Sequence, residues 1–201
     1  TYVLGLNAVP FREFLNVVNA LADEARVFVS RDSLTAKVVD PAHVAMVEVS
    51  LGDVAVAVAN ATDGTLLEGG TFEFGIDVEK LSALFKKAKK DETIRMQAEL
   101  PDSGRHRLTF HVNGMARTVA AIDTAGMSDP HIPKIDLLHG TFEILGRTLY
   151  DAVRQCEDVS DWTRLTLTKD GLNVYAEGDT DRVSLDLDAS VVDAVAEVVT
   201  A

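Results

Sequence analysis

The stretch VVDPAHVAMVEV, residues 38–49, joins two runs in which apolar and polar side chains alternate with the period of a β-strand. The runs cover residues 34–40 and 43–51, and Asp40-Pro41 stands between them. Because proline has a fixed φ and no backbone N–H, it cannot occupy a central strand of a sheet. The stretch is therefore predicted to form a corner between two strands.

The corner belongs to an order of elements that recurs three times. Each copy has a strand, a helix and three further strands, and the helices begin near residues 10, 77 and 147, about 70 residues apart. The predicted helices cover 10–21, 77–89 and 146–156. The predicted strands cover 2–6, 26–30, 34–39, 44–51, 71–75, 93–100, 105–112, 115–122, 141–145, 164–168, 172–176 and 183–187. The tail, 191–201, is expected to end without another strand, helix and meander. This is an internal repeat of βαβββ type.

Local signals support these assignments. Pro10 suits a first helical turn, Asp77 suits a helix N-cap, and Asn113-Gly114 is typical of a two-residue hairpin turn. VFVSRDSL (27–34) and LTLTKDGL (165–172) are similar to each other at equivalent positions of two repeats. The order of elements predicts an α+β protein.

A segment poor in periodicity separates the second repeat from the third. DTAGMSDPHIPKID, residues 123–136, is rich in turn-forming residues and is interpreted as a connecting loop. The predicted domains are 1–122, with two repeats, and 137–201, with one.

Composition bounds the function. With 201 residues, 47% of them apolar, the chain can form real cores. No apolar run approaches the ~20 residues of a membrane span and no leader is recognisable, so a soluble, intracellular protein is expected. The single Cys156 excludes an intrachain disulfide and a cysteine-rich zinc site. The net charge of -13 argues that any contact with nucleic acid is local.

His43 lies near Asp40, and this pair suggests an enzyme site. No Gly-rich elbow, phosphate-binding glycine loop or metal-ligand spacing of the five histidines accompanies this pair. EGDTD (177–181) is typical of a solvated turn. No catalytic residue, metal site or cofactor is predicted.

The polar faces of the helices carry cations and amides. These residues are Arg12, Asn16 and Asn19 in the first helix, Lys80, Lys86 and Lys87 in or near the second, and Arg147 and Arg154 in the third. One interpretation is that they only solvate exposed helix faces. If the repeated helices line one surface, their charges instead form a stripe that meets phosphates without reading bases.

Four stretches together resemble archaeal sliding clamps, the archaeal form of proliferating cell nuclear antigen. They are VVDPAHVAMVEVSL (38–51), DVEKLSALFKKA (77–88), Pro130-His131-Ile132-Pro133 and YAEGDTD (175–181). The resemblance runs from about Thr1 to Ala201. It implies a DNA-clamp fold of repeated βαβββ units, with helices lining a homotrimeric ring around duplex DNA and sheets outside. A complete subunit of that family has four units, so the chain is expected to lack the last part of its second domain.

The resemblance also implies roles for individual residues. The helix cations and amides named above would face DNA. Client proteins would dock on Val39, His43, Val44, Met46, Met127, Pro130, Ile132 and Pro133. Subunits would meet through His111, Met115, Arg117, Val183, Leu185 and Leu187.

The implied function is that of a non-catalytic processivity factor for replication and repair. Its implied partners are duplex DNA, DNA polymerase, flap endonuclease, DNA ligase and a clamp loader, in a cytoplasmic, nucleoid-associated setting. Two alternatives stay open. One is a clamp-like paralogue or fragment that binds clients or clamp subunits without encircling DNA, and the other is an enzyme that uses Asp40 and His43.

Overall fold

A computed structural model describes residues 1–59, 66–68, 71–99, 105–127, 129–131, 140–168, 170–188 and 190–194. The chain divides into an N-terminal unit, Thr1–His131, and a C-terminal unit, Ile132–Ala201. The division falls inside the segment predicted as a connecting loop, whose residues 128 and 132–136 lie outside the described residues. The predicted domain bounds themselves stay a prediction.

The N-terminal unit contains two α-helices, one 3₁₀ turn and ten strands in its described residues. The helices are α1 (Ala8–Asn19) and α2 (Val78–Phe85), and the 3₁₀ turn is Thr124–Gly126. The strands are β1 (Tyr2–Asn7), β2 (Glu24–Val29), β3 (Leu34–Val39), β4 (Met46–Leu51), β5 (Ala55–Ala59), β6 (Leu66–Glu68), β7 (Phe72–Asp77), β8 (Thr93–Glu99), β9 (Arg107–Val112) and β10 (Met115–Ala120).

These strands form two antiparallel sheets in which the first two repeats interlock. The six-stranded sheet has the order β10-β9-β8-β1-β5-β6, and the four-stranded sheet has the order β4-β3-β2-β7. The meander of the first repeat thus continues onto β7, the leading strand of the second repeat, with Val27 opposite Phe74. The meander of the second repeat continues onto β1, with Leu4 opposite Met96. Neither repeat completes its sheet alone.

One core fills the space between the helices and the two sheets. On α1 the buried residues recur at helical spacing, and on β3 they alternate, with Leu34, Ala36 and Val38 facing inward. Phe11 of α1, Phe85 of α2 and Phe110 of β9 meet in its centre. The exposed helix faces and the outer faces of the sheets therefore lie on opposite sides of this core.

The C-terminal unit has its own smaller core. Its elements are β11 (Gly140–Glu143), α3 (Gly146–Glu157), β12 (Arg164–Thr168), β13 (Gly171–Glu177), β14 (Arg182–Leu187) and β15 (Ser190–Ala194). The strands pair as β12-β13-β14 and as β11-β15. Ala152 and Cys156 of α3 pack on Leu172, Val174 and Ala176 of β13.

The predicted order of strand, helix and three strands is confirmed in all three repeats, as are the Asp77 N-cap and the Asn113-Gly114 turn. The Asp77 carboxylate accepts the Lys80 backbone N–H at 2.8 Å. Asn113 and Gly114 have φ of 49° and 79°, as a two-residue hairpin turn of type I′ requires.

Two features of the secondary structure were predicted wrongly: the end of α2 and the number of strands. Helix α2 ends at Phe85 rather than near residue 89. Four lysines, at 86, 87, 89 and 90, would stand three or four residues apart on a continued helix, and like charges at that spacing destabilise it. Strands β5, β6 and β15 were not predicted, and β15 lies at the start of the tail, where no strand was expected. Alanine is a weak strand former and β6 has only three residues, which explains two of these omissions.

In the described part of the chain, no helix is both long and apolar enough to span a membrane.

Candidate functional site

The predicted DNA-facing residues of α1 gather beside α2. The two helices border an open groove of about 480 Å³ whose lining includes Arg12, Asn16, Asn19 and Lys86. Arg12 Nη1 donates to the carbonyl of Ala88 at 3.2 Å, so α1 is tied to the turn that follows α2. The packing of the helices thus brings together side chains that lie about 70 residues apart in sequence.

Carboxylates moderate the positive charge of this surface. Glu13 and Glu79 also line the groove. Four of the predicted cations have carboxylate partners within 3 Å: Arg12 with Glu13, Lys80 with Asp77, Arg147 with Asp151 and Arg154 with Glu157. Because exposed pairs of this kind are worth only ~0–1 kcal/mol, a phosphate can replace the carboxylate at small cost. Lys86 and Lys87 have no such partner among the described residues, and they lie in the cap and turn after α2, not in the helix as predicted.

Lys80 lies apart from the groove. Its ammonium group lies 2.7 Å from Asp77 Oδ2, and its side chain lines a crevice against Val119 and Ala120 of β10. The hydrogen bond from Lys80 is the main reason why the pKa of Asp77 lies below its ordinary value. In the C-terminal unit, Arg147 and Arg154 are exposed on α3 seven residues apart, which places them on one helix face.

The Asp-Pro corner is a turn organised by Asp40. The Asp40 carboxylate accepts backbone N–H groups from Ala45 at 2.7 Å, Val44 at 2.8 Å and Ala42 at 3.3 Å. The N–H of Ala45, followed by that of Val44, holds the pKa of Asp40 below its ordinary value despite some opposing desolvation. His43 adopts φ of 57°, and the turn leaves Val44 84% exposed.

The described client-binding candidates other than Pro130 share one face of the four-stranded sheet or its corner. Val39 pairs with Met46, and both lie opposite the core side of their strands, because Val38 points inward. Gly75 of β7 lies on the same outer face, since its neighbours Phe74 and Ile76 are buried in the core. A Cβ on Gly75 would stand 2.9 Å from Met127 Sδ, so Met127 covers this glycine. Pro130 is half-buried, while Ile132 and Pro133 lie outside the described residues.

The connecting segment, residues 122–127, is held against this face by hydrogen bonds. Gly75 and Ile122 exchange two backbone hydrogen bonds, of 3.1 and 2.9 Å. Arg26 donates to Glu73, and Thr124 Oγ1 donates to the other carboxylate oxygen of Glu73 at 2.9 Å. The Arg26 guanidinium, with Thr124 adding to its effect, holds the pKa of Glu73 below its ordinary value.

The predicted subunit-interface residues occupy two sheet margins. Strand β10 is the last strand of the six-stranded sheet. Met115 and Arg117 are exposed, although they lie on the face of the sheet that the neighbouring strand β9 turns towards the core. Met115 is 70% exposed. His111 is not on this edge strand: it lies on β9, on the outer face, and its ring nitrogen lies 3.2 Å from Gln97 Oε1.

In the C-terminal unit β14 is the last strand of the three-stranded sheet. Val183, Leu185 and Leu187 are half-buried and pack against the unit's own core. Because these side chains already pack within the unit, another strand can pair only with the backbone edge of β14 and contact the exposed parts of these residues.

No group of three or more His, Cys, Asp or Glu in the described ranges could hold a metal ion. The Asp40 carboxylate, proposed above in an alternative enzyme site, is occupied by backbone donors.

Gly75 and the contacts among Arg26, Glu73 and Thr124 were not predicted from the sequence. An isolated glycine between Phe74 and Ile76 in a strand is a signal for close approach of another backbone, and it was present at this position. The hydrogen bonds among residues 26, 73 and 124 had no signal, because their spacing follows only from the sheet register.

Solved structures identify the class of fold. Archaeal PCNA from A. fulgidus, solved with the C-terminal region of FEN-1, superimposes with a TM-score of 0.77 over 96% of this chain and 75% of that chain, at 20% identity. PCNA from Thermococcus kodakaraensis gives 0.71 over 96% and 76%, at 19% identity. The chain therefore has the DNA-clamp fold, as predicted.

Relatives in sequence identify the family, although no family model matches the chain. The DNA polymerase sliding clamp of Methanocella arvoryzae is 32% identical over 186 residues, which is 92% of this chain and 71% of that protein. That of Methanosarcina barkeri is 29% identical over 183 residues, 90% of this chain and 70% of that protein. The chain belongs to the family of archaeal DNA polymerase sliding clamps, which confirms the resemblance and the predicted functional class. It spans about 70% of the length of these relatives.

Proposed function

We propose that copies of this chain close into a trimeric ring around duplex DNA and act there as a non-catalytic processivity factor. The observation that carries the proposal is the groove between α1 and α2. It collects Arg12, Asn16, Asn19 and Lys86 on the helix side of the core, away from the outer sheet faces. Amides and moderated cations suit a surface that tolerates phosphates in any sequence and lets DNA slide.

The outer face of the four-stranded sheet is proposed to bind client proteins. Val39, Met46 and Met127 lie on that face, and Val44 stands exposed on the corner beside it. A short helical turn with apolar side chains can bind such a surface in the helix-in-groove mode. The A. fulgidus PCNA structure contains the C-terminal region of FEN-1. We extend this to flap endonuclease, DNA polymerase, DNA ligase and a clamp loader for this chain, and we place the protein at the nucleoid.

Ring closure is proposed to pair β10 of one subunit with β14 of the next. Both strands are last in their sheets as described, and both carry apolar residues on the side that faces a core. An antiparallel pairing would satisfy the free backbone groups of both edges. Such a head-to-tail contact uses two different surfaces, so it closes only by rotation into a ring.

The DNA contact is tested by reversing the charge of Lys86 and Lys87, neither of which has a carboxylate partner in the part of the chain that the structure describes. Lys86→Glu/Lys87→Glu should abolish clamp-stimulated DNA synthesis and leave self-association unchanged. The matched control is Arg95→Glu/Arg107→Glu, which changes the net charge equally at exposed positions on the outer face of the six-stranded sheet. Equal stimulation by both variants would refute the assignment of the helix side to DNA.

The alternative, a clamp-like protein that binds partners without encircling DNA, predicts a different result in a topological assay. Subunits crosslinked into a ring on circular DNA should stay bound at high salt and be lost after the circle is linearised. Loss at equal rates from circular and linear DNA would favour the alternative.

A further inference from the structure

We propose that Gly75, together with the Arg26, Glu73 and Thr124 side chains, forms a seat that positions Met127 for client binding. The seat holds the start of the connecting segment against the outer face of the four-stranded sheet. The inference rests on the proposed client-binding role of that face and adds positioning residues that lie outside the set of client contacts.

Gly75 is the part of the seat that depends on the absence of a side chain. A Cβ at this position would stand 2.6 Å from the carbonyl oxygen of Ile122, 2.9 Å from Ile122 Cβ and 2.9 Å from Met127 Sδ. Real Cβ contacts are almost never shorter than 3.0 Å, and the first of these atoms is backbone. Only glycine therefore lets the segment lie this close to β7.

The hydrogen bonds of Gly75 fix the distance and direction of the connecting segment relative to β7. The N–H of Gly75 donates to the carbonyl of Ile122 at 3.1 Å, and the N–H of Ile122 donates to the carbonyl of Gly75 at 2.9 Å. These two bonds form an isolated antiparallel bridge at the free side of β7.

The second part of the seat connects the segment to the neighbouring strand. Arg26 of β2 donates to Glu73 Oε2 through Nε at 2.9 Å and Nη2 at 2.6 Å, and Thr124 donates to Glu73 Oε1 at 2.9 Å. The N–H of Met127 then donates to the carbonyl of Thr124 at 3.0 Å, which closes the 3₁₀ turn. Two contacts of preceding residues therefore position Met127: the bridge between Gly75 and Ile122, and the hydrogen bond from Thr124 to Glu73.

The position of Met127 matters because it sets one wall of the proposed client surface. The opposite wall, Val39 and Met46, lies on β3 and β4, two and three strands away from β7. At about 4.8 Å between strands, these walls are roughly 10 to 14 Å apart. A shift of either wall changes the width that is available to a helical turn inserted between them.

Gly75→Ala directs its new methyl group outward, away from the core, so it moves the segment without opening the core. We expect the affinity for a peptide from the C-terminal region of FEN-1 to fall about tenfold, measured by fluorescence anisotropy. The amide of Ile122 should exchange with solvent at least tenfold faster, while protection of the β8 amides stays unchanged. Gly52→Ala is the matched control, because a Cβ there meets nothing within 4 Å.

Thr124→Val provides a second variant that keeps side-chain shape and removes only the hydroxyl bond to Glu73. It should weaken peptide binding about threefold. Its control is Thr118→Val, which removes a hydroxyl paired with Thr109 at 2.9 Å on the six-stranded sheet.

Val44→Asp distinguishes a wrong client surface from a wrong seat. If Val44→Asp leaves peptide affinity unchanged, the proposed client surface is wrong. If it weakens binding but Gly75→Ala and Thr124→Val behave like their controls, the surface stands and the seat is overturned. Weaker binding in all three variants, with faster exchange at Ile122 in Gly75→Ala, supports the seat.

Discussion

Phe85→Ala should weaken the packing of α2 against α1, the two helices that border the groove. Phe85 is the last residue of α2 and is 4% exposed. Its ring meets Phe11 and Phe110 edge to face, each at a centroid distance of 5.3 Å. Phe→Ala changes in cores cost about 3–5 kcal/mol, and edge-to-face pairs are worth about 0.5–1.5 kcal/mol each beyond their buried area. Since both pairs are lost, we expect the free energy of unfolding of the N-terminal unit to fall by about 4 kcal/mol.

Native-state hydrogen exchange can measure this loss in the N-terminal unit separately. The slowest amides of β8 and β9 should report unfolding of that unit, and a loss of about 4 kcal/mol corresponds to exchange roughly a thousandfold faster. Because α2 is less firmly held, Lys86 and the groove should also lose their fixed geometry. The variant should therefore stimulate DNA synthesis less at temperatures where it is still folded.

Phe28→Ala is the matched control at a position of the N-terminal unit outside its core. Phe28 lies half-buried on β2, on the outer face, with the Arg26 guanidinium 5.0 Å from its ring centroid. Its loss should cost only about 1 kcal/mol. If Phe85→Ala costs no more than Phe28→Ala, the aromatic cluster is not what holds α1 and α2 together.

Two further predictions concern the corner and the edge strand. The pKa of Asp40 lies below its ordinary 3.8. The Asp40 turn should therefore stay ordered above pH 3.8 and lose its order as the pH falls through the lower pKa that Asp40 has in the folded state. NMR amide shifts of Val44 and Ala45 should titrate with a midpoint under 3.8, and a midpoint at or above it would contradict this account. Met115→Glu should weaken self-association in sedimentation equilibrium, since a charge on the exposed end of β10 opposes burial. Leu145→Glu, at a residue 77% exposed on the C-terminal unit, is its control, and equal association of the two variants would count against β10 as an interface.

The candidate site was predictable where a local pattern carries it. The helical spacing of α1 correctly separated Phe11, Phe14 and Val18, which are buried, from the polar Asn16 and Asn19. Asp40-Pro41 correctly indicated the corner that exposes Val44. The prediction grouped both strands of the hairpin into one interface and so included His111. His111 lies on β9, whereas only β10 is last in the sheet.

The sequence alone determined the repeated order of strand, helix and three strands, the helix faces, and the turns at Asp40-Pro41 and Asn113-Gly114. Each of these depends on side-chain period or on backbone preference within a few residues. Only the tertiary structure decided that the first two repeats exchange leading strands, that Arg12 and Lys86 border one groove, and that Met127 rests on Gly75. These arrangements depend on which strand pairs with which, and on packing between segments distant in sequence, neither of which leaves a local pattern in the chain.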